Sequence, residues 1–416
     1  MSETFVIVGG GLAGAKAAET LREEGFAGRL VLVGEETERP YERPPLSKGY
    51  LTGSDDRNKA FVHDTGWYGE HNVELLLGVR ATMLDAKTKT LTLDGFEPLR
   101  YDKLLLATGS RVRQLNVPGN DLIGVRYLRT LPDADRMIEA FLRDAHVVII
   151  GAGWIGLETA AAAVGRGAHV TVVEVADLPL QRVLGDEVAS IYADLHRAHG
   201  VDLRFGTGVA EIVGSGGTIT HVRLTDGTEL PADVAVVGVG ITPSAELAVA
   251  GGLHVDDGVV TDAGLRTSDP AVYACGDVAN SENPVLGRRV RVEHWGNALE
   301  GGKAAAMSML GRDTVYDRVP YFFSDQYDLG MKYAGWVEPG GYDRVVFRGD
   351  TSVSADKAPE FLAFWVKEGR VLAGMNANVW DVQDDIQNLV RAGYAGKAVD
   401  LARLADPDVP LSDLLD

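Results

Sequence analysis

The sequence predicts an α/β fold with two Rossmann-like dinucleotide-binding domains and an α+β C-terminal domain. Two glycine-rich loops, Gly9-x-Gly11-x-x-Gly14 and Gly151-x-Gly153-x-x-Gly156, each follow a short apolar run. Helix-forming sequence follows both loops, and a second apolar run then ends in an acidic residue. From residue 321 onward the pattern changes to short strands and turns, followed by two helices. These three observations predict the fold class.

The first βαβ unit begins with the apolar run Phe5 to Val8 and closes with Leu30 to Val33, followed by Glu35. Glycine lets the backbone approach a pyrophosphate closely, and the N-terminus of the following helix favours its negative charge. The carboxylate after the second strand is suited to accept both ribose hydroxyls. The unit therefore predicts a bound dinucleotide.

The second βαβ unit repeats this arrangement with Val147 to Ile150, Val170 to Val173 and Glu174. A ribose 2′-phosphate would be repelled by Glu174, so the acid predicts NADH rather than NADPH. One such loop is weak evidence, but two in full context indicate two dinucleotides held by one chain. That pair points to a flavin together with a nicotinamide nucleotide.

The order of the patterns predicts a discontinuous arrangement of domains. We expect residues 1–113 and 245–320 to form an FAD-binding domain, residues 114–244 an inserted NAD-binding domain, and residues 321–416 the C-terminal domain. The main helices are expected at residues 130–142, 155–164, 186–199 and 297–310. Val234 to Val239 is fully apolar, which is typical of a buried parallel strand.

Composition narrows the possible partners and locations. A net charge of −20 argues against nucleic acid or an anionic membrane surface as a partner. The first strand begins within four residues of the N-terminus, which leaves no room for a signal peptide. No apolar stretch reaches the length of a membrane span, and we expect a cytoplasmic location.

The chain has one cysteine, Cys275, so neither a disulfide within the chain nor a CxxC redox pair is possible. Cys275 lies inside an apolar run, and we expect a buried, inert thiol. The sequence shows no metal-ligand cluster and no pairing of a nucleophile with a base.

Several polar residues are candidates for flavin contacts. Asp277 follows an apolar strand and is placed to accept hydrogen bonds from the ribityl and pyrophosphate region. Arg43 and Lys48 lie in a proline-stiffened loop, and a cation beside the flavin favours its anionic reduced ring. Glu158 lies one turn into the second nucleotide helix, where it is either a partner for Lys48 or a helix-surface carboxylate. We expect Trp295, at the start of a helix, to present its backbone N–H to the flavin.

A short basic run stands out in so acidic a chain. It consists of Arg288, Arg289 and Arg291, with Lys303 on the following helix. The run is either a solvated turn or a dock for an acidic protein. His294, beside it, is expected to be a packed or surface histidine rather than a base, because hydride transfer needs none.

Six motifs occur in a fixed order: GGGLAG, RPPLSK, LLATGS, GAGWIGLE, ACGDVA and EHWGNALE. In this combination the chain resembles the FAD-dependent, NADH-using ferredoxin reductases of the putidaredoxin reductase type, which include rubredoxin reductases and dioxygenase reductases. The resemblance implies a glutathione reductase-like fold. It also implies hydride transfer from NADH to FAD, then single electrons passed to a [2Fe-2S] or similar ferredoxin that serves a cytochrome P450 or a ring-hydroxylating oxygenase.

The resemblance also assigns site residues. It implies FAD contacts at Gly9, Gly11, Ala13, Gly14, Glu35, Arg43, Lys48, Ala81, Thr108, Gly109, Arg129, Gly276, Asp277 and Trp295. It implies NADH contacts at Gly151, Gly153, Ile155, Gly156, Glu158, Glu174, Arg182 and Gly240. It favours a pair between Lys48 and Glu158 and makes these two the catalytic residues.

Two departures from the family pattern leave the redox partner open. Tyr321, Phe322 and Phe323 stand where tryptophans are frequent, and residues 376–390 lack the usual proline. Two alternatives remain: an NADH-dependent flavoprotein that reduces a quinone, oxygen or monodehydroascorbate, and an NADH sensor resembling apoptosis-inducing factor. Disulfide reductases with the same loops need redox cysteines near the flavin, which this chain lacks.

Overall fold

The computed structural model describes residues 3–354 and 357–415. The chain divides into two compact units. Unit 1 comprises the chain up to Glu42 together with Arg57–Arg111 and Thr242–Tyr321. Unit 2 comprises Arg43–Asp56, Val112–Ile241 and the chain from Phe322 onward. The predicted boundaries of an FAD-binding, an NAD-binding and a C-terminal domain stay a prediction, because the two units group the segments differently.

The strands are, in chain order, β1 Thr4–Val8, β2 Arg29–Gly34, β3 Val73–Leu77, β4 Ala81–Asp85, β5 Thr90–Leu93, β6 Leu99–Arg100, β7 Lys103–Leu106, β8 Ser110–Val112, β9 Val125–Arg126, β10 His146–Ile150, β11 His169–Val173, β12 Asp202–Arg204, β13 Val209–Ser215, β14 Thr218–Leu224, β15 Glu229–Pro231, β16 Val234–Val237, β17 Ile241–Pro243, β18 Val259–Thr261, β19 Val272–Ala274, β20 Ala279–Asn283, β21 Arg288–Arg291, β22 Tyr321–Gln326, β23 Leu329–Gly335, β24 Arg344–Asp350, β25 Glu360–Lys367 and β26 Arg370–Ala377.

The α-helices are α1 Leu12–Glu23, α2 Gly49–Thr52, α3 Trp67–Glu70, α4 Leu131–Ala140, α5 Trp154–Gly165, α6 Gln181–Ala198, α7 Glu246–Ala250, α8 Trp295–Met309, α9 Gln383–Tyr394 and α10 Leu401–Ala405. Among the described residues, none of these helices combines the length and the apolar composition that a membrane crossing requires.

Unit 1 is built on a parallel sheet with the strand order β19-β7-β1-β2-β3. Its central strand is apolar and buried from Phe5 to Val8, and Ile7 lies in register between Leu32 and Leu105. Such a strand is stable only when both faces of the sheet are covered. Helices α1 and α8 pack against each other, and a Cβ at Gly302 would collide with the backbone of Ala13.

Unit 2 repeats the parallel sheet with the order β12-β11-β10-β16-β9. Ile149 is its central residue, between Val172 and Val236. Together with the sheet of unit 1, this arrangement confirms the predicted Rossmann-like α/β fold class. The predicted strand Val234 to Val239 ends two residues early, at Val237.

The C-terminal part of unit 2 is a sheet with the order β22-β23-β26-β25-β24, in which the registered pairs are antiparallel. Helix α9 packs against β26, which gives the α+β layer that the sequence predicts. Trp365 is fully buried and donates its indole N–H to the carbonyl of Leu184 on α6 at 2.9 Å. Trp154 at the start of α5 lies edge-on to Phe322, with ring centroids 5.0 Å apart.

The helix boundaries show which local signals are reliable. Thr130 and Asp133 form a capping box at the start of α4, as the cap and early proline predict. Helix α6 starts at Gln181 rather than at residue 186, but Gly185 has φ 75° and breaks the helical geometry inside it. The regular part of α6 therefore begins where the sequence predicts.

Candidate active site

The first glycine-rich loop connects β1 to α1 in unit 1. A Cβ at Gly9, where φ is 127°, would collide with the carbonyl oxygen of Ala107, and a Cβ at Gly14 would collide with that of Gly9. A Cβ at Gly11 would meet nothing within 4 Å. The outer glycines are therefore required by packing within the protein, whereas the space beside the middle one is open to a ligand. This is the division of roles that a pyrophosphate-binding loop needs.

The end of α1 at this loop suits an anion. Gly11 provides no side-chain cap, and the first turn carries no acidic residue. The first amides of a helix lack partners within the helix and carry partial positive charge, so they attract a phosphate. The Glu35 side chain, 70% exposed and 3.7 Å from Arg80, presents a carboxylate that a ribose can reach. The loop, the helix end and the acid thus fit the adenosine half of a dinucleotide such as FAD.

Five more predicted flavin contacts lie in unit 1: Gly276, Asp277, Thr108, Gly109 and Ala81. Gly276 has φ 74°, and a Cβ there would lie 3.2 Å from that of Ala13, so the turn that carries Asp277 lies against the first turn of α1. Thr108 donates its hydroxyl to the carbonyl of Ser244 at 2.7 Å, and Gly109 follows it with φ 63°. Ala81 begins β4.

Trp295 begins α8, and its indole N–H donates to the Glu42 carboxylate at 2.8 Å. The indole is therefore held by the protein itself. A backbone hydrogen bond from Trp295 to the flavin stays a prediction.

The second glycine-rich loop, in unit 2, has the same geometry as the first. A Cβ at Gly151, where φ is 102°, would press on the carbonyl of Gly238, and a Cβ at Gly156 would collide with the carbonyl oxygen of Gly151. Beside Gly153, again, there is nothing within 4 Å. Helix α5 starts here without a side-chain cap and without an acid in its first turn. This loop too is open to a pyrophosphate at its middle glycine.

Glu174 is fixed by two backbone amides. One carboxylate oxygen accepts from Ala152 N at 2.7 Å and the other from Ala176 N at 3.0 Å. The second loop therefore carries a fixed negative charge at the position where a Rossmann unit receives the ribose.

The remaining predicted NADH contacts surround this loop. Ile155 is 44% exposed on the first turn of α5. Arg182 lines a cleft of about 250 Å³ between the start of α6 and the loop that contains Tyr342. Gly240 has φ 99°, and its carbonyl accepts from Arg113 N at 2.9 Å.

The proline-stiffened loop 43–56 is attached to unit 2. The Arg43 guanidinium donates to the backbone carbonyl of Arg129, and the Tyr50 hydroxyl donates to Asp135 on α4. Arg43 and Arg129, both predicted to approach the flavin, are thus neighbours in the same unit.

Lys48 and Glu158 are brought together. The Lys48 ammonium lies 2.6 Å from Glu158 Oε1, with the two side chains 14% and 2% exposed. The Ser47 hydroxyl donates to Glu158 Oε2, and Ser324 Oγ donates to Oε1 at 2.7 Å. Of the two alternatives for Glu158, the structure has the buried partner of Lys48 and not the surface carboxylate.

The two serines are functional candidates that sequence reasoning misses. Ser47 and Ser324 are 111 and 166 residues from Glu158 in sequence. A lone serine in a loop or a strand carries no pattern that points to a distant carboxylate. For Ser47 the one indication in the sequence is its position within RPPLSK, directly before Lys48.

Two of the four residues of the basic run pair with acids of unit 1. Arg291 pairs with Asp257 at 3.1 Å and with Glu293, and Lys303 pairs with Glu300 at 2.9 Å. Arg289 donates to the carbonyls of Thr261 and Asn280. Arg288 is the exposed arginine of the run.

Cys275 is buried, and His294 is half-buried. Burial raises the pKa of Cys275 to about 12, which keeps the thiol protonated and agrees with the predicted inert cysteine. Burial lowers the pKa of His294 to about 4, so its ring is neutral near pH 7. Within residues 3–354 and 357–415, no group of three or more His, Cys, Asp or Glu side chains is placed to hold a metal ion.

Comparison with known proteins agrees with this geometry. Residues 3–302 match the family described as pyridine nucleotide-disulphide oxidoreductase, and residues 321–415 match the family described as reductase C-terminal. Putidaredoxin reductase from Pseudomonas putida is 39% identical over 89% of this chain and 88% of its own. The ferredoxin–NAD(+) reductase component of the anthranilate 1,2-dioxygenase system from Burkholderia cepacia is 39% identical over the full length of both chains.

Among solved structures, the covalent complex of putidaredoxin reductase with putidaredoxin superposes with a TM-score of 0.92, at 37% identity over 99% of this chain and 98% of that one. These matches confirm the resemblance that the six motifs indicate.

Proposed function

The chain belongs to the pyridine nucleotide-disulphide oxidoreductase family, and on that premise we propose that it is an FAD-dependent NADH:ferredoxin reductase. The observation that carries the proposal is the glycine-rich loop that occurs once in each unit. In both loops the space beside the middle glycine is open to a ligand, and in both units a carboxylate follows the second strand. Bound FAD supplies the chemistry, because it accepts a hydride from NADH and releases electrons one at a time. The protein binds, orients and adjusts the two nucleotides.

Each loop has its own nucleotide in this proposal. The first, with Gly11 open and Glu35 exposed, holds FAD, and Asp277 accepts from its ribityl and pyrophosphate region. The second, with Gly153 open, holds NADH. Glu174, held by two amides, accepts the ribose hydroxyls and repels a 2′-phosphate.

Lys48 has the electrostatic role. It is held at 2.6 Å by Glu158 and lies with its ammonium 5.4 Å from the ring centroid of Phe323. A cation fixed beside a flavin stabilises the negative charge that the ring gains on reduction. A preorganised cation needs no rearrangement at the moment of hydride transfer, which is why a buried, paired lysine suits this role better than a solvated one.

The electron acceptor is a small iron–sulfur protein in this proposal. The names of the relatives support it: they act with putidaredoxin, with a dioxygenase ferredoxin system and, at 36% identity, with rubredoxin. A cytochrome P450 or a ring-hydroxylating oxygenase would then receive the electrons. The predicted cytoplasmic location stays a prediction.

We place the docking surface at the basic run, with Arg288 as its main exposed charge. Arg289 donates to carbonyls of its own unit, Arg291 pairs with Asp257, and Lys303 pairs with Glu300. Exposed charges at an interface act mainly on the rate of association. Arg288→Glu should therefore raise the KM for the ferredoxin, with the effect shrinking at high salt, whereas Arg344→Glu, at an exposed arginine of unit 2, should not.

The test of the function is cytochrome c reduction by NADH with and without added iron–sulfur protein. Putidaredoxin and a rubredoxin are the probes, and menadione is the small acceptor. We expect a saturable increase in rate with at least one of the two proteins. No gain from either, together with rapid menadione reduction, would contradict the proposal and favour the alternative of a small-acceptor flavoprotein.

A further inference from the structure

A continuous row of hydrogen bonds in unit 2 leads to the Lys48–Glu158 pair. The Tyr327 hydroxyl lies 3.1 Å from His196 Nδ1, and His196 Nε2 lies 2.9 Å from Gln326 Oε1. Gln326 Nε2 lies 3.1 Å from Ser324 Oγ, which in turn lies 2.7 Å from Glu158 Oε1. We call these five residues the polar row.

Donors and acceptors in the polar row can be ordered in only one way when Glu158 is ionised. A carboxylate only accepts, so Ser324 must donate to it and must accept from the amide nitrogen of Gln326. The oxygen of Gln326 then faces His196, whose Nε2 must carry the proton. With Nε2 protonated and the ring neutral, Nδ1 accepts from Tyr327. Every bond therefore points toward the carboxylate.

The polar row is deeply buried. His196, Gln326, Ser324 and Glu158 are 0%, 1%, 1% and 2% exposed. Buried polar groups are costly unless each has a partner, so removing one member leaves its neighbour unsatisfied. Burial lowers the pKa of His196 to about 4, which keeps the ring neutral near pH 7 and agrees with the single tautomer that the order requires.

Tyr327, at the end of the polar row that is farthest from Glu158, has a strained backbone conformation. Tyr327 has φ 56° in the turn between β22 and β23, a conformation that bulky residues rarely adopt. Its ring stacks on His199, with centroids 3.7 Å apart and planes 11° apart. Strain of this kind persists only where the surroundings hold the residue firmly. Tyr327 is therefore fixed by the stacking and by its bond to His196.

We propose that Ser324, Gln326 and His196 are positioning residues that hold Glu158, and through it the ammonium of Lys48, in one place. The inference rests on the proposed role of Lys48 beside the flavin and adds the device that orients it. Strand β22 supplies Ser324 and Gln326, and helix α6 supplies His196, so two distant segments fix one cation.

The geometry at Glu158 explains why Ser324 matters to Lys48. Oε1 receives both Ser324 and Lys48, whereas Oε2 receives Ser47. Without Ser324, Oε1 keeps only Lys48, whose stem is flexible, and Ser47 is the one hydroxyl that still holds the carboxylate, which is then able to turn about its last bond. Lys48 is on a flexible four-carbon stem, so its ammonium follows the carboxylate or spreads over several positions. A cation spread over several positions stabilises a nearby negative charge less than a fixed one does.

The experiment measures the flavin itself as well as the rate. The midpoint potential of bound FAD is determined by anaerobic titration against a reference dye without NADH, and flavin bleaching by NADH is followed by stopped-flow. Ser324→Ala should weaken the preference for reduced flavin by about tenfold, a shift of about 30 mV to more negative potential for a two-electron couple. It should also slow bleaching severalfold. Tyr327→Phe keeps the stacked ring and should shift the potential in the same direction by less.

Ser308→Ala is the matched control. Ser308 is also fully buried and donates one hydrogen bond, to Gly264 O at 2.6 Å, but lies in unit 1 outside the polar row. Its removal should leave the potential as in the wild type.

Lys48→Met separates failure of this inference from failure of the proposed function. If Lys48→Met lowers the potential and Ser324→Ala does not, the positioning role is wrong and the function of Lys48 stands. If Lys48→Met leaves the potential and the rate unchanged, the proposed role of Lys48 is itself wrong. Should Ser324→Ala fail to retain FAD, an unchanged potential in Tyr327→Phe overturns the inference.

Discussion

A buried carboxylate is stable only when its oxygens have partners, and Glu158 meets this requirement with three of them. Lys48, Ser47 and Ser324 all contact its two oxygens, and the side chain is 2% exposed. Asp325 is next to Ser324 in this region. Burial raises the pKa of Asp325, whereas the nearby positive charge of Lys48 lowers it. The charges of Lys48 and Glu158 thus act on the neighbouring side chains of unit 2.

Glu158→Ala should destabilise the protein strongly. Removing one member of a buried pair leaves the other charge uncompensated, at a cost of about 3 kcal/mol in the free energy of unfolding. Urea denaturation of the FAD-saturated protein measures it. The control is Asp350→Ala. It breaks the ion pair between Asp350 and Lys357, whose side chains are 49% and 61% exposed, and an exposed pair contributes little to stability. Equal losses in the two variants would contradict the burial argument.

Glu174→Gln should weaken the discrimination between NADH and NADPH. Glutamine keeps an oxygen for one of the two amides, whereas the repulsion of a 2′-phosphate is lost. We expect the ratio of kcat/KM for NADH to that for NADPH to fall by about tenfold, equal to about 1.4 kcal/mol. Glu35→Gln, in the first loop, is the control and should leave this ratio unchanged. A wild-type preference for NADPH would overturn the assignment of Glu174.

At the residue scale, the sequence indicates the site residues that lie within a motif, but not the residues outside the motifs that contact them. Lys48 and Glu158 stand in RPPLSK and GAGWIGLE, where a family pattern singles them out. The residues that fix the pair, Gln326 and His196, lie in a strand and a helix without any pattern. Their contact depends on how β22 packs on α6, which periodicity along one element does not determine.

At the scale of the element, the two glycine-rich loops separate packing from binding. In each, the first and third glycines face backbone atoms of the protein, and the middle one faces open space. The same sequence pattern thus contains two kinds of glycine: two that packing within the protein requires, and one that leaves space for a ligand.

Gly153→Ala and Gly156→Ala should therefore fail in different ways. Gly153 is the N-cap of α5 with φ −80°, so alanine is sterically tolerated and stability should change by less than about 1 kcal/mol. Its methyl group enters the space of the pyrophosphate, and we expect the KM for NADH to rise at least about tenfold. At Gly156 a methyl group would collide with Gly151 O, and we expect a loss of about 3 kcal/mol from overpacking.

Thermal unfolding and steady-state kinetics of the two variants give the check. If Gly153→Ala unfolds early and binds NADH normally, the middle glycine is structural and the space beside it is not a ligand site.

Element boundaries follow local signals where these exist. The capping box at Thr130 places the start of α4, and the glycine at 185 places the start of the regular part of α6. Strand β3, Val73–Leu77, has the sequence VELLL, and so short an apolar run does not distinguish strand from helix. Its position at the edge of the parallel sheet, paired with β2, decides its structure.

At the scale of the whole molecule, each unit contains a dinucleotide loop and a histidine that is held neutral near pH 7. Burial lowers the pKa of His196 in unit 2 and of His294 in unit 1 to about 4. In the unfolded chain a histidine keeps its ordinary pKa near 6.5. Between these values the unfolded state binds more protons, so stability is fully present above about pH 6.5 and falls as the pH falls toward 4.

We expect each of the two histidines to cost about 2 kcal/mol of stability between pH 7 and pH 5. His196→Gln should reduce the loss on acidification by that amount, as measured by urea denaturation at the two pH values. His254→Gln, at an exposed histidine, is the control and should leave the loss unchanged. An identical pH dependence in His196→Gln and the wild type would show that His196 is not held neutral.

The overall architecture is predictable because it is repeated. Two copies of a strand, a tight glycine turn, a helix, a strand and an acid predict two parallel sheets, and both are present. The grouping of loop 43–56 with Val112–Ile241 is not visible in the sequence, because it depends on single side chains such as Arg43 and Tyr50. Long-range side-chain contacts of this kind decide which segments fold together.

The most direct test of the proposed function is anaerobic mixing of the FAD-loaded protein with NADH in a stopped-flow spectrometer. We expect rapid bleaching of the flavin absorbance with NADH, slower bleaching with NADPH, and recovery of the colour when oxidised putidaredoxin or rubredoxin is added. A protein that retains no flavin after incubation with FAD, or a bound flavin that NADH does not bleach, would contradict it.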